Sequence, residues 1–195
     1  GVNVKVSGEV AEMRSTFKQL AGGIGLAVLL IYLVLVAQFR SFLDPLSILL
    51  AVPLGGVGAM GLLWATRTTL NVQSLVGLLF MVGIAVSNSV LLVEFAARLR
   101  EQGRSPADAA AESAAVRLRP ILMTSLAAVL GLVPMAIGFG HGGEANVPLA
   151  RAVVGGLTAS TLLTLFVVPV ADAWLHRNDV LKAPDLEGPN VEAIP

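Results

Sequence analysis

The chain has 195 residues; 55% are apolar, only 13% are charged, and thirteen Lys plus Arg balance thirteen Asp plus Glu. Soluble domains carry about one quarter charged residues, so the charge deficit points to a membrane protein, and zero net charge argues against a basic nucleic-acid surface. With no cysteine there is no disulfide framework, thiolate metal site or Cys nucleophile, and two distant histidines, His141 and His176, offer little from which to build a zinc site. No cofactor and no metal site are expected.

The opening GVNVKVS, residues 1–7, alternates apolar and polar positions as a half-buried strand does. A lone strand is marginal in water, and the chain does not open on Met. Residues 1–19 are therefore expected to close an extracytoplasmic domain of a larger protein.

A helix needs about 20 mostly apolar residues to cross a hydrocarbon core about 30 Å thick. Five stretches qualify: residues 20–37, 46–66, 72–95, 120–137 and 152–175. They lack the alternation of barrel strands and are far longer. The expected class is an all-α membrane protein with five transmembrane helices. The loop at 98–119 holds a predicted short helix over residues 107–116, with Ser105 as N-cap, Pro106 at the first helical position and Asp108 completing the box. Gly103 should end the helix before it. The Pro-rich, acidic end suggests a disordered tail over residues 177–195.

Arg98, Arg100, Arg104, Arg117 and Arg119 crowd the connection after the third span, and Arg40, Arg177 and Lys182 fall on the same side. By the arginine rule that side is cytoplasmic, with the N-terminus outside.

Lipid supplies no hydrophobic drive for helix association, so small residues must permit close packing. Gly55 and Gly58 serve the second span, Gly83 the third, Gly155 and Gly156 the fifth. Pro53 and Pro169 each remove a backbone donor inside an apolar run.

Polar side chains at mid-span are the candidate functional groups. Ser87 and Asn88 suit either helix–helix hydrogen bonding or an ion path. Glu94 is a boundary carboxylate within reach of Arg98, open to pairing or to proton transfer. Thr124 and Ser125 are placed to bond the preceding turn's carbonyls. Thr158, Ser160, Thr161 and Thr164 form a polar stripe read as packing, and Asp172 reads as an inner-boundary charge. His141 reads as a solvated loop residue. An intramembrane protease would need a His beside Ser87 or a second acid beside Glu94, and neither is at hand.

Four strings carry a resemblance: AQFRSF followed by AVPLGGVGA, then GIAVSNSVLLVEFA, RLRPILMTSLA, and GGLTAST with LFVVPV. In this order and spacing the chain, over about residues 6–176, resembles the C-terminal half of resistance–nodulation–division (RND) efflux permeases, in the hydrophobe/amphiphile-exporting branch. The resemblance implies helices eight to twelve of a twelve-helix bundle, with residues 1–19 as the end of the periplasmic porter domain. It further implies a homotrimer in the inner membrane of a Gram-negative bacterium, partnered by the permease's own N-terminal half, a periplasmic adaptor, an outer-membrane channel and membrane lipids. Protons would be exchanged for drugs or other amphiphiles. Carried over by motif, Thr124 takes the relay threonine's position and Arg117 the arginine's. The family's lysine position falls on Ser87, beside Asn88, where a serine cannot replace the charge. Metal export is disfavoured because the five methionines are scattered. The alternatives are a lipid or protein-translocation permease of related type, or a structural membrane fragment that does not transport; the chain alone is not expected to export.

Overall fold

The computed structural model describes residues 9–139 and 143–176. The strand expected at residues 1–7, His141 and the tail from 177 lie outside the described residues. Six α-helices run in order: α1 Glu9–Phe39, α2 Leu43–Leu49, α3 Ala51–Ala65, α4 Val72–Glu101, α5 Pro106–Ile137 and α6 Val147–Leu175, with a 3₁₀ turn at Gly143–Asn146 before α6. Among the described residues five spans are long and apolar enough to cross a membrane, α2 and α3 together forming one of them.

That second span is broken where the sequence suggested an unbroken run from 46. Pro53 has no N–H to give the carbonyl one turn earlier, at Leu49, and α2 ends there. Leu50 keeps helical dihedrals, so the break bends the path without reversing it.

The separate loop helix expected over residues 107–116 is not separate. Ser105 caps α5 as predicted, its Oγ accepting from Asp108 N at 3.2 Å, and Pro106 stands at the first helical position. The helix then continues through Pro120 and Pro134 to Ile137. A 32-residue helix is about 48 Å long, so its first turns project beyond the hydrocarbon in line with the span. Arginines at 117 and 119 that read as loop are a helix extension. α4 also outruns the bilayer: Asn71 caps its start in a reciprocal box with Ser74, and Gly103, at φ +86°, closes its end. Only glycine takes that conformation without strain.

α6 is the axis of the bundle, packed against α3, α4 and α5. Its contact with α3 is backbone on backbone. A Cβ added at Gly58 would stand 2.6 Å from the Gly155 carbonyl and would strike Ala159. One at Gly155 would stand 2.7 Å from the Gly58 carbonyl. Gly55 and Gly156 both receive Met81 of α4, whose side chain is buried between them. Gly83 behaves differently from the other predicted packing glycines, with nothing within 4 Å of its added Cβ. It sits on an exposed face of α4. α1 is almost wholly exposed along its span, and α5 nearly so.

Arg151 ties the N-terminal end of α6 to its neighbours. Its Nε donates to the Ala136 carbonyl at 3.0 Å and its Nη1 to Thr68 Oγ1 at 2.6 Å. A different set of charges holds the other end of the bundle.

Candidate functional site: a neutral network and an ionic cluster

Two polar assemblies join the helices at different depths. The first lies near the middle of α4. Asn88 Nδ2 donates to Ser125 Oγ of α5 at 3.2 Å, and Thr161 Oγ1 of α6 lies 2.8 Å from the same oxygen. Ser125 and Thr161 are buried; Asn88 is half-buried. A small, mostly apolar recess of about 240 Å³ opens beside them, lined by Leu122, Val129, Thr158 and Leu162 among others. Hydroxyls and a carboxamide can pass hydrogen bonds between three helices here without a net charge, which suits hydrocarbon depth.

The predicted relay residues divide around this network. Thr124 precedes Ser125 and points about 100° away around the helix. Its hydroxyl is bonded back to the Pro120 and Ile121 carbonyls at 3.2 and 3.1 Å, and the residue is exposed. Ser87 is exposed on α4 as well. Of the pair Asn88 and Thr124, only Asn88 enters the network. Arg117 lies over the Phe95 ring, its guanidinium carbon 5.4 Å from the centroid, with its Nε buried and unpartnered among the described residues. Glu94 pairs with Arg98 at 2.5 Å, one turn along, on an exposed surface; such pairs contribute little. Ser160 and Thr164 of the stripe are buried, while Thr158 is exposed and bonded to the Val154 carbonyl.

The second assembly is one that no sequence spacing signals. Arg100 of α4 donates through Nη2 to Asp44 Oδ1 of α2 at 2.7 Å and through Nη1 to Asp172 Oδ2 of α6. His176, just past the last residue of α6, stands over both acids. Its Nε2 is 3.5 Å from Asp44 Oδ1, and its Nδ1 is 3.4 Å from Asp172 Oδ1 and 3.0 Å from the Asp172 carbonyl. Asp172 is fully buried, and Asp44 and His176 are nearly so. Asp172 is therefore not a solvated boundary charge; it is the centre of an ion cluster, because the end of α4 and the short α2 close over it. Hydrogen bonding to the Asp172 carboxylate holds the His176 pKa above the ordinary 6.5, against burial and the Arg100 charge, which pull it down. Asp44, Asp172 and His176 bring ligand-type atoms within 4.8 Å of one another. The Arg100 guanidinium already engages both carboxylates, so a dication would have to displace it.

Charge-poor membrane-length helices, closed on one another by glycines and a neutral polar core, define a multi-pass membrane protein. The AcrB/AcrD/AcrF family matches residues 1–175, and the chain belongs to it. It is 40% identical over 170 residues to the toluene efflux pump membrane transporter TtgB of Pseudomonas putida, covering 87% of this chain and 16% of that protein. It is 38% identical over 172 residues to the cobalt-zinc-cadmium resistance protein CzcA of Cupriavidus metallidurans, covering 88% and 16%. A crystal structure of a heavy metal efflux pump superposes with TM-score 0.78 at 33% identity, over 87% of this chain and 17% of that one. The chain thus spans about one sixth of the length of these relatives. RND permease membership stands; these likenesses do not distinguish the amphiphile-exporting branch from a metal-exporting one, because a heavy-metal relative is nearly as similar as a solvent pump.

Proposed function

We propose that this chain is the C-terminal membrane portion of a proton-driven RND efflux permease that exports drugs or other amphiphiles. In this reading it works as a homotrimer with its own N-terminal half, a periplasmic adaptor and an outer-membrane channel. The arginine-rich end of α4 and α5 faces the cytoplasm, and the N-terminus faces the periplasm of a Gram-negative cell. The observation that carries the reading is the Asn88–Ser125–Thr161 network, a neutral hydrogen-bonded bridge between three helices at mid-span.

Ser87 and Gly83 of α4 and Thr124 of α5 are each exposed, and Gly83 has open space around it. The N-terminal half of the permease would cover these positions and bring the acids that take up protons. Protonating a buried carboxyl removes its desolvation penalty and changes which packing is favoured. Asn88 and Thr124 would hydrogen-bond that carboxyl in its two states, with Arg117 biasing it by charge. Ser87 supplies no cation, so coupling here would lean on hydrogen bonds where drug-exporting relatives use a lysine.

A second reading, export of metal cations, draws on the 38% identity to a cobalt-zinc-cadmium resistance protein. Both readings are tested together. Full-length permease in proteoliposomes with an imposed proton gradient is compared with Asn88→Ala and Thr124→Ala proteins at equal incorporation. Each substitution should cut export severalfold; unchanged export in both would refute the relay. Offering a hydrophobic dye and a divalent cation separately distinguishes the two substrates.

A further inference from the structure

The ionic cluster carries an inference independent of the transport reading. Its groups come from three elements: Asp44 from α2, Arg100 from α4, and Asp172 with His176 from the end of α6. Two carboxylates and one guanidinium leave a net negative charge in a largely buried site, which is costly unless a second cation joins.

His176 is placed to be that cation. Each ring nitrogen faces only acceptors: Nδ1 meets the Asp172 carbonyl and Oδ1, and Nε2 meets Asp44 Oδ1. A neutral imidazole has one N–H and one lone pair, and here the lone pair would point at a carboxylate whichever tautomer formed. Only the imidazolium, with two N–H groups, turns a donor toward both sides. Asp172 Oδ1, fully buried and without a hydrogen-bond partner among the described residues, lies 3.4 Å from His176 Nδ1. An open cleft of about 520 Å³ reaches Asp44 and Arg100 from outside, with Glu94, Arg98 and Glu101 of α4 as its other charged walls. Protons and water can reach the cluster along it.

We propose that His176 is the proton-binding element of a latch that clamps α2 onto the ends of α4 and α6 when charged and releases it when neutral. The raised pKa of the imidazole agrees with this geometry. A folded-state pKa above the unfolded one means the clamp is complete below about pH 6.5 and is lost as pH rises through the raised value. The clamp would fix the entry to the broken second span, since α2 ends where Pro53 interrupts the helix.

The chain has no cysteine, so with any cysteines elsewhere in the full-length protein replaced by serine, labels can be placed cleanly on the membrane-embedded full-length protein. Spin labels at Leu46→Cys on α2 and Trp174→Cys on α6, both exposed positions, report the spacing by pulsed electron resonance at about pH 5.5 and about pH 9. The latch requires a single short distance at the lower pH and a second, longer population at the higher. His176→Gln should show the longer population at both, and His176→Lys, still cationic, the short distance at both. Identical wild-type distributions at the two pH values overturn the proposal, as does a His176→Gln protein matching wild type at low pH. Should His176→Gln fail to fold, the wild-type titration and the lysine variant still decide it. Nitrogen-15 histidine NMR gives a second check: the His176 titration should fall by about one pH unit or more in Asp172→Asn, and no fall would contradict the assignment.

Discussion

The neutral network and the ionic cluster both join α4 to α6, yet they are built from different chemistry. At mid-span, Asn88, Ser125 and Thr161 share hydrogen bonds with no net charge. At the arginine-rich end, Arg100 binds two carboxylates with a histidine over them. The difference follows depth. A charge at a helix centre costs about 2.5–3.5 kcal/mol on the insertion scale, whereas the end of the bundle has a cleft that admits water to Asp44 and Arg100. The neutral bridge can exchange partners cheaply; the charged one is strong only while every member is present.

The contrast is broken most severely by removing the shared cation. Arg100→Met leaves Asp44 and Asp172 facing each other without a guanidinium and should destabilise the bundle by about 3–5 kcal/mol. Reversible unfolding in mixed micelles would measure this, and a loss near that of an ordinary surface pair would mean that the cluster is solvated. Next in size is the α3–α6 seam: Gly58→Leu forces a side chain against Ala159 and the Gly155 carbonyl. It should cost about 1–3 kcal/mol or separate the helices, while Gly83→Ala, with open space around it, leaves this chain's own packing unchanged in the same assay. The smallest effect belongs to the neutral network. Ser125→Ala removes the oxygen shared by Asn88 and Thr161 and should cost about 1 kcal/mol, since intramembrane hydrogen bonds average below that each. A double-mutant cycle between positions 88 and 125 would show the coupling, and strict additivity would contradict it.

The membrane-spanning helices are legible because length and apolarity alone decide them. Where structure and sequence part, local signals compete. Arg117 and Arg119 read as loop and Pro120 as the start of a span, but N-terminal extension of α5 beyond the bilayer places all three inside one helix. Pro53 shows in the sequence as a missing donor, yet the resulting end of α2 at Leu49 needs the backbone path. Among the packing glycines, Gly58 and Gly155 meet each other and Gly83 meets nothing, a distinction that composition cannot make. The mid-span polarity of Asn88 is visible, but the choice of Ser125 over its neighbour Thr124 depends on the rotation of α5. Least legible is the ionic cluster. Arg100 lies 56 residues from Asp44 and 72 from Asp172. Each member stands at a span boundary, where a charge ordinarily meets water. The only signal is Asp172, an acid within an apolar run, and its partners are set by tertiary contact alone.

The proposed function makes these helices part of a pump whose export is driven by protons. Its most direct test is export by the full-length permease from proteoliposomes, first with a proton gradient imposed and then with the gradient collapsed by an ionophore. Export should stop with the gradient, and substrate addition should accelerate proton flux; export continuing at the same rate without a gradient would contradict proton-driven transport.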